Sequence, residues 1–390
     1  MLVSASHAVV DHPLPELCAL TAPEILAWYR SQQRSDVSVM FSRLRDEAAD
    51  LSEEIGPLRH YLAAYPGDSL RKRLRAEALE QLFLHMHEHV MEHPVWLHPF
   101  FVRVTEGDIN AAQLTVFARQ YFNQVKNTRQ CVALALGRVH TMIDRVDGEL
   151  NTILSELTQI VLAGLLSDEY GTGAKPQSAN GHAPHSLVSD IGQLFAHVTH
   201  PALFRRFLDA LGTKTADYDV PMLHGVADNV LVQRILASDP AYDELEALAS
   251  VGLGMEWGVP AFFSMIMAGI SKVAAREGLQ LDSTAMEIWS SHVKQDVEHA
   301  VAVMIATAFF VRDAADVKRL EGATNILMAY RYDMMSDIYR EVFGEGCHKI
   351  SAVELPSRYA LHDKRIQPRL ESARYAIRPG SVRSYANYAV

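Results

Sequence analysis

The chain has 390 residues, so it forms either one large domain with extensions or two smaller domains. Apolar residues make up 49% and charged residues 21%, a balance that excludes wholesale disorder. The formal net charge is -11, so the chain has no general attraction for phosphate backbones or anionic lipids, and we expect no nucleic-acid or membrane partner.

Apolar residues recur at three- and four-residue spacing along most of the chain, and no alternating strand pattern is present. The predicted fold class is therefore all-α. Residues 1–20 are predicted to form a loose arm, and a helix is predicted to begin at Thr21, a favourable cap followed by Pro23. Further helices are predicted over about 36–64, 68–92, 111–142, 148–169, 186–210, 222–238, 240–272, 283–312 and 317–343.

Two segments interrupt this helical pattern. Residues 171–184 are rich in Gly, Ser, Asn and Pro and are predicted to be a loop. Residues 345–390 contain three prolines and many basic side chains, and are predicted to form an irregular tail that wraps the body or a partner subunit. The predicted organisation is an N-terminal arm and helical extension (1–92), a main bundle (93–343) and a C-terminal tail (344–390).

The cysteines and the N-terminus favour a cytoplasmic protein. Cys18, Cys131 and Cys347 lie far apart and form no CxxC pair, so neither a disulfide framework nor a thiolate metal knuckle is indicated. The first eighteen residues lack the basic and apolar regions of a secretory signal.

The most informative motif is an HxxxDxxH spacing formed by His292, Asp296 and His299. On an α-helix these positions lie within about 60° of one another, so the three side chains project from one stripe. Two imidazoles and a carboxylate suit iron, manganese or zinc, and the carboxylate can bridge toward a second ion. Apolar flanks make a solvated helical face with incidental histidines the weaker interpretation.

Glu256 is the single charge in the most apolar run of the chain, 247–270. The run is long enough to span a bilayer, but its glycines, Pro260 and the central carboxylate favour a buried core helix. A buried carboxylate needs either a cation or a raised pKa. Because Pro260 has no amide to donate to the Glu256 carbonyl, we also expect a local kink or bulge there.

A third carboxylate, Glu169, ends an apolar helix just before Gly171. Its spacing from Leu165 and Leu162 places it on the apolar stripe, which makes Asp168 the exposed neighbour. One of the histidines that follow could supply a further metal ligand to the same site: His182, His185, His197 or His200. All four stay open at this point: His200 opens an amphipathic helix, His185 begins a helix, and His197 is a candidate for a supporting hydrogen bond.

Taken together, these residues resemble the haem-oxygenase-like diiron oxidases, also known as iron-containing redox enzymes. The resemblance covers about 95–312. It rests on the DEYGTG sequence at 168–173, the HPALF and ALG landmarks after His200, Glu256, and the HxxxDxxH motif, in that order. It implies a haem-oxygenase-like bundle with a metal site formed by six residues: Glu169, His200, Glu256, His292, Asp296 and His299.

The chain departs from the family pattern in two places. His200 lies thirty-one residues after Glu169, much farther than is usual, which implies an insertion around 174–195 and leaves His182 and His185 as rival ligands. Some N-oxygenating members also carry an extra glutamate on the early helix, whereas the comparable stretch here, 124–130, has none. A seventh protein ligand is therefore not indicated.

The resemblance implies a function for this ligand set. Two Fe(II) ions would react with O2 to oxidise a small amino acid or amine, with Glu169, Glu256 and Asp296 as the catalytic carboxylates. The form of the first motif is closest to members that N-oxygenate amines. Oxidative C–C cleavage or desaturation of an amino or fatty acid is the alternative. We also expect a homodimer and an external reductant, whose identity the sequence does not give.

Two other interpretations compete with the diiron hypothesis: a metal-free enzyme of the thiamin-salvage type, and a helical interaction protein. A second histidine cluster, with His85, His89 and His93 on one helical face, is predicted to be a polar surface or interface, with adventitious metal binding as the rival. Three basic residues of the early helix are predicted to be surface charges, with binding of a substrate carboxylate as the rival: Arg119, Lys126 and Arg129.

Overall fold

The structure, a computed structural model, describes residues 18–48, 50–64, 69–139, 148–171, 198–378 and 380–383. Within these ranges the chain forms fourteen α-helices and no β-strand; the nearest approach to a sheet is a single bridge between Met222 and Val382. The predicted all-α fold class is confirmed.

The N-terminal part contains four helices, α1 (Ala22–Glu47), α2 (Gly56–Ala64), α3 (Ser69–Arg73) and α4 (Ala76–Met91). The start of α1 at Thr21 agrees with the prediction, and Glu24 completes a capping box with it. The single helix predicted over 36–64 is wrong, because Asp50 caps a short 3-10 turn that separates α1 from α2. The helix predicted over 68–92 is likewise divided, into α3 and α4.

The helices of the N-terminal extension pack on the core rather than away from it. On α1, the hydroxyl of Tyr29 lies 2.7 Å from Oγ of Ser264, and the side-chain amide of Gln33 donates to the carbonyl of Trp257 at 3.1 Å. Phe41 of α1 and Phe83 of α4 form an edge-to-face pair. The first helix therefore covers one side of the segment that contains Glu256.

The rest of the described chain adds ten helices. The structure confirms most predicted helices within a few residues. Most of the predicted arm (1–17), nearly all of the predicted loop (172–184) and the first part of the helix predicted over 186–210 lie outside the described residues. The structure also adds α5, which Pro99 opens and Gly107 ends in a left-handed conformation. Within the predicted irregular tail, α14 forms because Ile366 and Leu370 bury one apolar face. In chain order the helices are α5 (Pro99–Glu106), α6 (Ala111–Arg138), α7 (Gly148–Glu169), α8 (His200–Ala210), α9 (His224–Ser238), α10 (Glu244–Leu248), α11 (Val259–Glu277), α12 (Glu287–Ala308), α13 (Ala314–Phe343) and α14 (Ile366–Tyr375).

Between α10 and α11 the helix widens into a π-helical segment, Ala249–Trp257, which contains Glu256. The bulge expected near Pro260 is therefore present. Its position has a local cause, since Pro260 cannot supply the amide that would satisfy the Glu256 carbonyl in an α-helix. Short stretches of π-helix often occur at functional sites, where they redirect a side chain.

Aromatic side chains fill the core beside this segment. Trp289 of α12 is fully buried and lies against Phe263 and Phe204, with ring centroids 4.8 and 5.5 Å apart. Tyr121 of α6 stacks on the same indole at 6.2 Å. These rings hold α6, α8, α11 and α12 in fixed relative positions, which is what a site built from several helices requires.

Two stretches of the described chain are long and apolar enough to cross a membrane by length and composition, Leu150–Glu169 and Glu244–Glu277. In the second, 78% of the most apolar window is buried inside the bundle. Burial inside protein is typical of the core helix of a globular domain, so the prediction of a buried core helix around Glu256 is confirmed.

Candidate metal centre

Six side chains from four parts of the chain meet in the interior of the bundle, in two groups of three. One atom from each member of a group lies within 4.8 Å of one atom from each of the others. Two atoms that bind one ion at about 2.1 Å lie at most about 4.2 Å apart, so each group needs only a small adjustment to close on an ion. The first group is Glu169, His200 and His292; the second is Glu256, Asp296 and His299.

Helix α12 contributes to both groups, as the single stripe of the HxxxDxxH motif requires. His292 belongs to the first group, and Asp296 and His299, one and two turns farther along, belong to the second. Glu169 arrives from the last residue of α7 and His200 from the first residue of α8. Because one helix spans both groups, the two potential ion sites are neighbours.

His292 is oriented by its own helix. Its Nδ1 lies 2.6 Å from the carbonyl oxygen of Ile288, one turn earlier, and must carry the proton to donate to it. The ring therefore leaves Nε2 free, with a lone pair available to a metal ion. Burial, with the nearby His200 as a smaller cause, holds the pKa of His292 well below its usual range, so the imidazole is neutral as a ligand requires.

His299 is oriented by a residue of another helix. Its Nε2 lies 3.0 Å from Oδ2 of Asp168, while Nδ1 faces Asp296 with a separation of 3.9 Å from Oδ1. A carboxylate that accepts from the far nitrogen of a ligating histidine fixes the ring and raises its basicity. Burial opposes a charge on His299, but the hydrogen bond to Asp168 and nearby carboxylates raise its pKa overall. Asp168, predicted to be an exposed neighbour, thus has a half-exposed side chain that contacts the site.

His200 lies where the sequence analysis favoured it. Thr199 caps α8 and Pro201 follows within its first turn, so the backbone at His200 is well defined. Nδ1 of His200 lies 3.0 Å from Oε2 of Glu169, and its ring centroid lies 4.4 Å from that of His292. The rival residues His182, His185 and His197 lie outside the described residues.

The buried carboxylates have oxygen atoms with no hydrogen-bond partner among the described residues, Oε2 of Glu169 and Oδ2 of Asp296. The contact of the first with His200 is close but not aligned as a hydrogen bond. Burial and the charge of Glu169 raise the pKa of Glu256 to about 7, and burial raises the pKa of Asp296 well above its usual range. Unpaired buried carboxylates are costly, and a bound cation would remove that cost.

The donor set therefore fits metal ions. Three carboxylates and three imidazoles match the mixed nitrogen and oxygen coordination that iron, manganese and zinc accept. The stretch 124–130, where the resemblance would allow an extra glutamate, begins with a neutral amide: Gln124 donates to Gln233 and accepts from Asn229, both at 2.8 Å. A seventh carboxylate ligand from this stretch of α6 is absent.

A cavity of about 40 Å³ adjoins the two groups. Its wall includes Glu169, His200, Glu256, His292 and Asp296, together with side chains of α6, and one residue that sequence reasoning missed, Arg331 of α13. Arg331 is only 5% exposed. A buried arginine on a long amphipathic helix has no distinctive local motif, so its position depends on how α13 packs.

The second histidine cluster, on α4 and just after it, is mostly buried within the chain, so the predicted polar surface or interface is wrong. His85 is half-exposed and pairs with Glu321, but His87, His89 and His93 are buried. The two nitrogens of His87 bond to the Arg30 carbonyl and to the Trp257 indole. His89 bonds to Asn325 and His93 caps the following 3-10 turn. None of these four belongs to either three-residue group that could hold an ion in the described chain.

The basic residues of α6 do not line the cavity. Arg119 donates to the carbonyl of Asp217 at 2.6 Å, Lys126 pairs with Asp219 at 2.5 Å, and Arg129 stacks over the ring of Tyr170. The preference for surface charges over carboxylate-binding residues therefore agrees with the structure.

Comparison with known proteins adds one similarity. A 207-residue stretch, 53% of this chain, is 25% identical to a protein named 4-aminobenzoate synthase from Nitrosomonas europaea, of which it covers 69%. No protein-family model matches the chain. At this level of identity the comparison does not establish a family, but it relates the chain to a protein with the name of a biosynthetic enzyme.

Proposed function

We propose that this protein is an O2-dependent non-haem diiron oxidase with a haem-oxygenase-like bundle, and that it acts on the amino group of a small amine or amino acid. The proposal rests on one observation above all. Two adjacent groups, each able to hold one ion, share helix α12 and together use all six residues that the family resemblance implies. A role in protein interaction alone would not explain three carboxylates buried together in the core, two of which have an oxygen with no hydrogen-bond partner among the described residues.

Bound ferrous ions would supply the electrons for O2 reduction. The protein holds the ligands in place and keeps water out. The carbonyl of Ile288 and the carboxylate of Asp168 keep the His292 and His299 rings turned toward the interior. Phe263, 5.2 Å from the His292 ring, adds an apolar wall. A small cavity limits access and would protect a reactive centre from bulk solvent.

The choice of an amine substrate has two supports. The DEYG sequence that ends at Gly171 resembles the N-oxygenating members of the family. The relative from N. europaea is named for a product that contains an aromatic amine and a carboxylate. The first support favours N-oxygenation, and the second associates the chain with the biosynthesis of an amine that carries a carboxylate. N-oxygenation is therefore the proposed reaction and oxidative C–C cleavage is its rival.

Metal analysis combined with O2 uptake tests the proposal. We expect about two irons per chain after anaerobic loading with Fe(II), and O2 uptake that responds to an amine substrate. His292→Ala should lower the iron content and abolish the uptake, because His292 is the α12 ligand of the first group. His60→Ala, at an exposed position on α2, is the control and should behave like the parent.

Three results would contradict the proposal in different ways. Full iron loading of His292→Ala would show that the ligand assignment is wrong. Turnover of a substrate by metal-free protein would favour the thiamin-salvage type of chemistry. Substrate-dependent O2 uptake that gives products of C–C cleavage and no N-oxygenated product would reject N-oxygenation in favour of its rival. It would leave the assignment of a diiron centre intact.

A further inference from the structure

Arg331 is a buried cation beside the two ligand groups. It lies on α13, in the wall of the same cavity as Glu256 and Asp296. Its guanidinium carbon lies 5.5 Å from the ring centroid of Trp96 and 5.6 Å from that of Phe262. The two rings restrict the guanidinium to the region next to the metal centre, as cation–π contacts do at buried sites.

The guanidinium lacks the partner that a buried arginine normally has. Its Nη1 atom is buried and has no hydrogen-bond partner among the described residues. Arg331 also forms no ion pair with a described carboxylate, although Glu256 is near enough to influence its pKa. Fully buried arginines are rare unless they are paired, because an unsatisfied buried charge is costly. An unpaired guanidinium that lines a cavity is therefore a candidate binding group.

Charge balance favours an anion as the missing partner. Two divalent ions carry four positive charges, the three carboxylate ligands carry three negative charges, and the imidazoles are neutral. Arg331 brings the net charge of the loaded site to plus two. A monoanionic ligand would reduce this excess, and a carboxylate would also match the planar fork of the guanidinium.

We propose that Arg331 binds the carboxylate of the substrate and thereby selects small monocarboxylic acids over neutral amines. This inference rests on the proposed function, which supplies the premise that the bound molecule is a substrate. The acid group would lie against the guanidinium, with the rest of the molecule directed to the side of the cavity where Glu169, His200 and His292 meet. The substrate class is then an amino acid or another amine that contains a carboxylate.

Binding of simple carboxylates tests this assignment without catalysis. Full-length protein, both metal-free and loaded with redox-inert Zn²⁺, is titrated calorimetrically with acetate, benzoate, acetamide and benzamide. Each amide has nearly the shape of its acid but no charge. We expect the parent to bind at least one acid at least tenfold more tightly than its amide, because the charge-assisted pair exists only with the acid.

Variants test whether the preference for acids over amides depends on Arg331. Arg331→Gln should reduce the acid-over-amide ratio at least tenfold, and Arg331→Lys should restore part of it by retaining a positive charge. Arg129→Gln, which changes a basic residue outside the cavity wall, is the matched control and should keep the parent ratio. If Arg331→Gln loses helicity, Arg331→Met is used, since its unbranched side chain can still pack against the two rings.

Two outcomes would overturn the proposal: a parent with no preference for acids over amides, and an Arg331 variant that folds and keeps the parent ratio. A purely structural Arg331 would alter stability or metal content without changing this ratio. The test is also separable from the proposed function. Failure of iron loading with a preserved acid preference would reject the diiron oxidase alone, and normal iron-dependent oxidation without an acid preference would reject the role of Arg331 alone.

Discussion

At the scale of single residues, the orientation of each imidazole depends on what its second nitrogen contacts. His292 uses a carbonyl of its own helix, whereas His299 uses Asp168, which adjoins the ligand Glu169 in sequence. One dipeptide at the end of α7 therefore serves both groups: Glu169 belongs to the first, and Asp168 positions a member of the second. The two groups are therefore linked through α7 as well as through α12.

This arrangement leads to a prediction for Asp168→Ala. Loss of the carboxylate removes the hydrogen bond that orients His299, and loss of such a contact typically weakens metal affinity by about 10- to 100-fold. We expect iron retention against a chelator to fall by that factor while helicity is unchanged, because the Asp168 side chain is half-exposed. Glu298→Ala, an exposed neighbour of His299 on α12, is the control. Equal iron retention in the two variants would show that Asp168 does not position the ligand.

At the scale of elements, the π-helical segment packs closely against its neighbours because glycines stand at the points of contact. A Cβ at Gly258, where the segment passes into α11, would lie 2.2 Å from Cζ2 of the buried Trp96 indole. At Gly254 it would lie 2.5 Å from a methyl group of Leu327. The glycines allow the 3-10 turn that contains Trp96 (Pro94–Leu97) and α13 to approach the π segment closely, which positions Glu256 beside Asp296 and His299.

We therefore predict that Gly258→Ala destabilises the protein by about 1–3 kcal/mol, the usual effect of overpacking a rigid core. Denaturant unfolding measures this change. Gly322→Ala, in α13, is the matched control because a Cβ there meets nothing within 4 Å. Alanine's higher helix propensity should leave that variant equal to the parent or more stable. Equal unfolding free energies for parent and Gly258→Ala would disprove the close contact.

The histidines of α4 give a second prediction at this scale, for stability in acid. Burial lowers the pKa of His87 to about 4, below its unfolded value of 6.5. The unfolded chain therefore binds more protons between these pH values, so the contribution of His87 is complete above about pH 6.5 and is lost as the pH falls toward 4. His93 and His98, whose pKa values burial lowers to about 3, act in the same direction.

His87→Gln should retain hydrogen bonds to the Arg30 carbonyl and the Trp257 indole but cannot be protonated. We expect its unfolding free energy to fall less than the parent's between pH 6.5 and 4, by about 1–3 kcal/mol. His60→Gln, at an exposed position, should follow the parent curve. Parallel curves for parent and His87→Gln would mean that this histidine is not buried in its neutral form.

At the scale of the whole molecule, the candidate metal centre joins parts of the chain that are far apart in sequence. Its six residues come from α7, α8, the π segment and α12, so ions bound there would connect four elements of the bundle. Ions that bind the folded but not the unfolded chain stabilise the fold by mass action. Without ions, the same buried carboxylates repel one another.

We therefore predict that anaerobic Fe(II) raises the stability of the parent by about 4 kcal/mol at a free concentration a thousandfold above the dissociation constant. Calorimetric melting with and without Fe(II) measures the shift. His292→Ala should show a clearly smaller shift in melting temperature with Fe(II). Mg²⁺ should shift the melting temperature of either protein very little, because imidazole ligands suit it poorly. Equal shifts with Fe(II) and Mg²⁺ would indicate nonspecific binding to acidic groups.

The family resemblance selected His200 among four histidines, but the sequence by itself determined the helical class, most helix positions and five of the residues that meet in the core. These features depend on local patterns: apolar periodicity, caps, and the stripe that relates His292, Asp296 and His299 on one helix. The lone carboxylate of Glu256 in an apolar run is also a local signal, because burial of a charge needs compensation wherever the run packs.

Only the tertiary structure decided how those six residues divide into two groups, and which other side chains serve them. Asp168 reaches His299 across 131 positions of sequence, and Arg331 enters the cavity because of the way α13 packs against Trp96 and Phe262. His87 and His89 of α4 are buried because α1, α13 and the tail cover them. A local pattern determines which face of a helix is apolar, but long-range packing determines what that face meets.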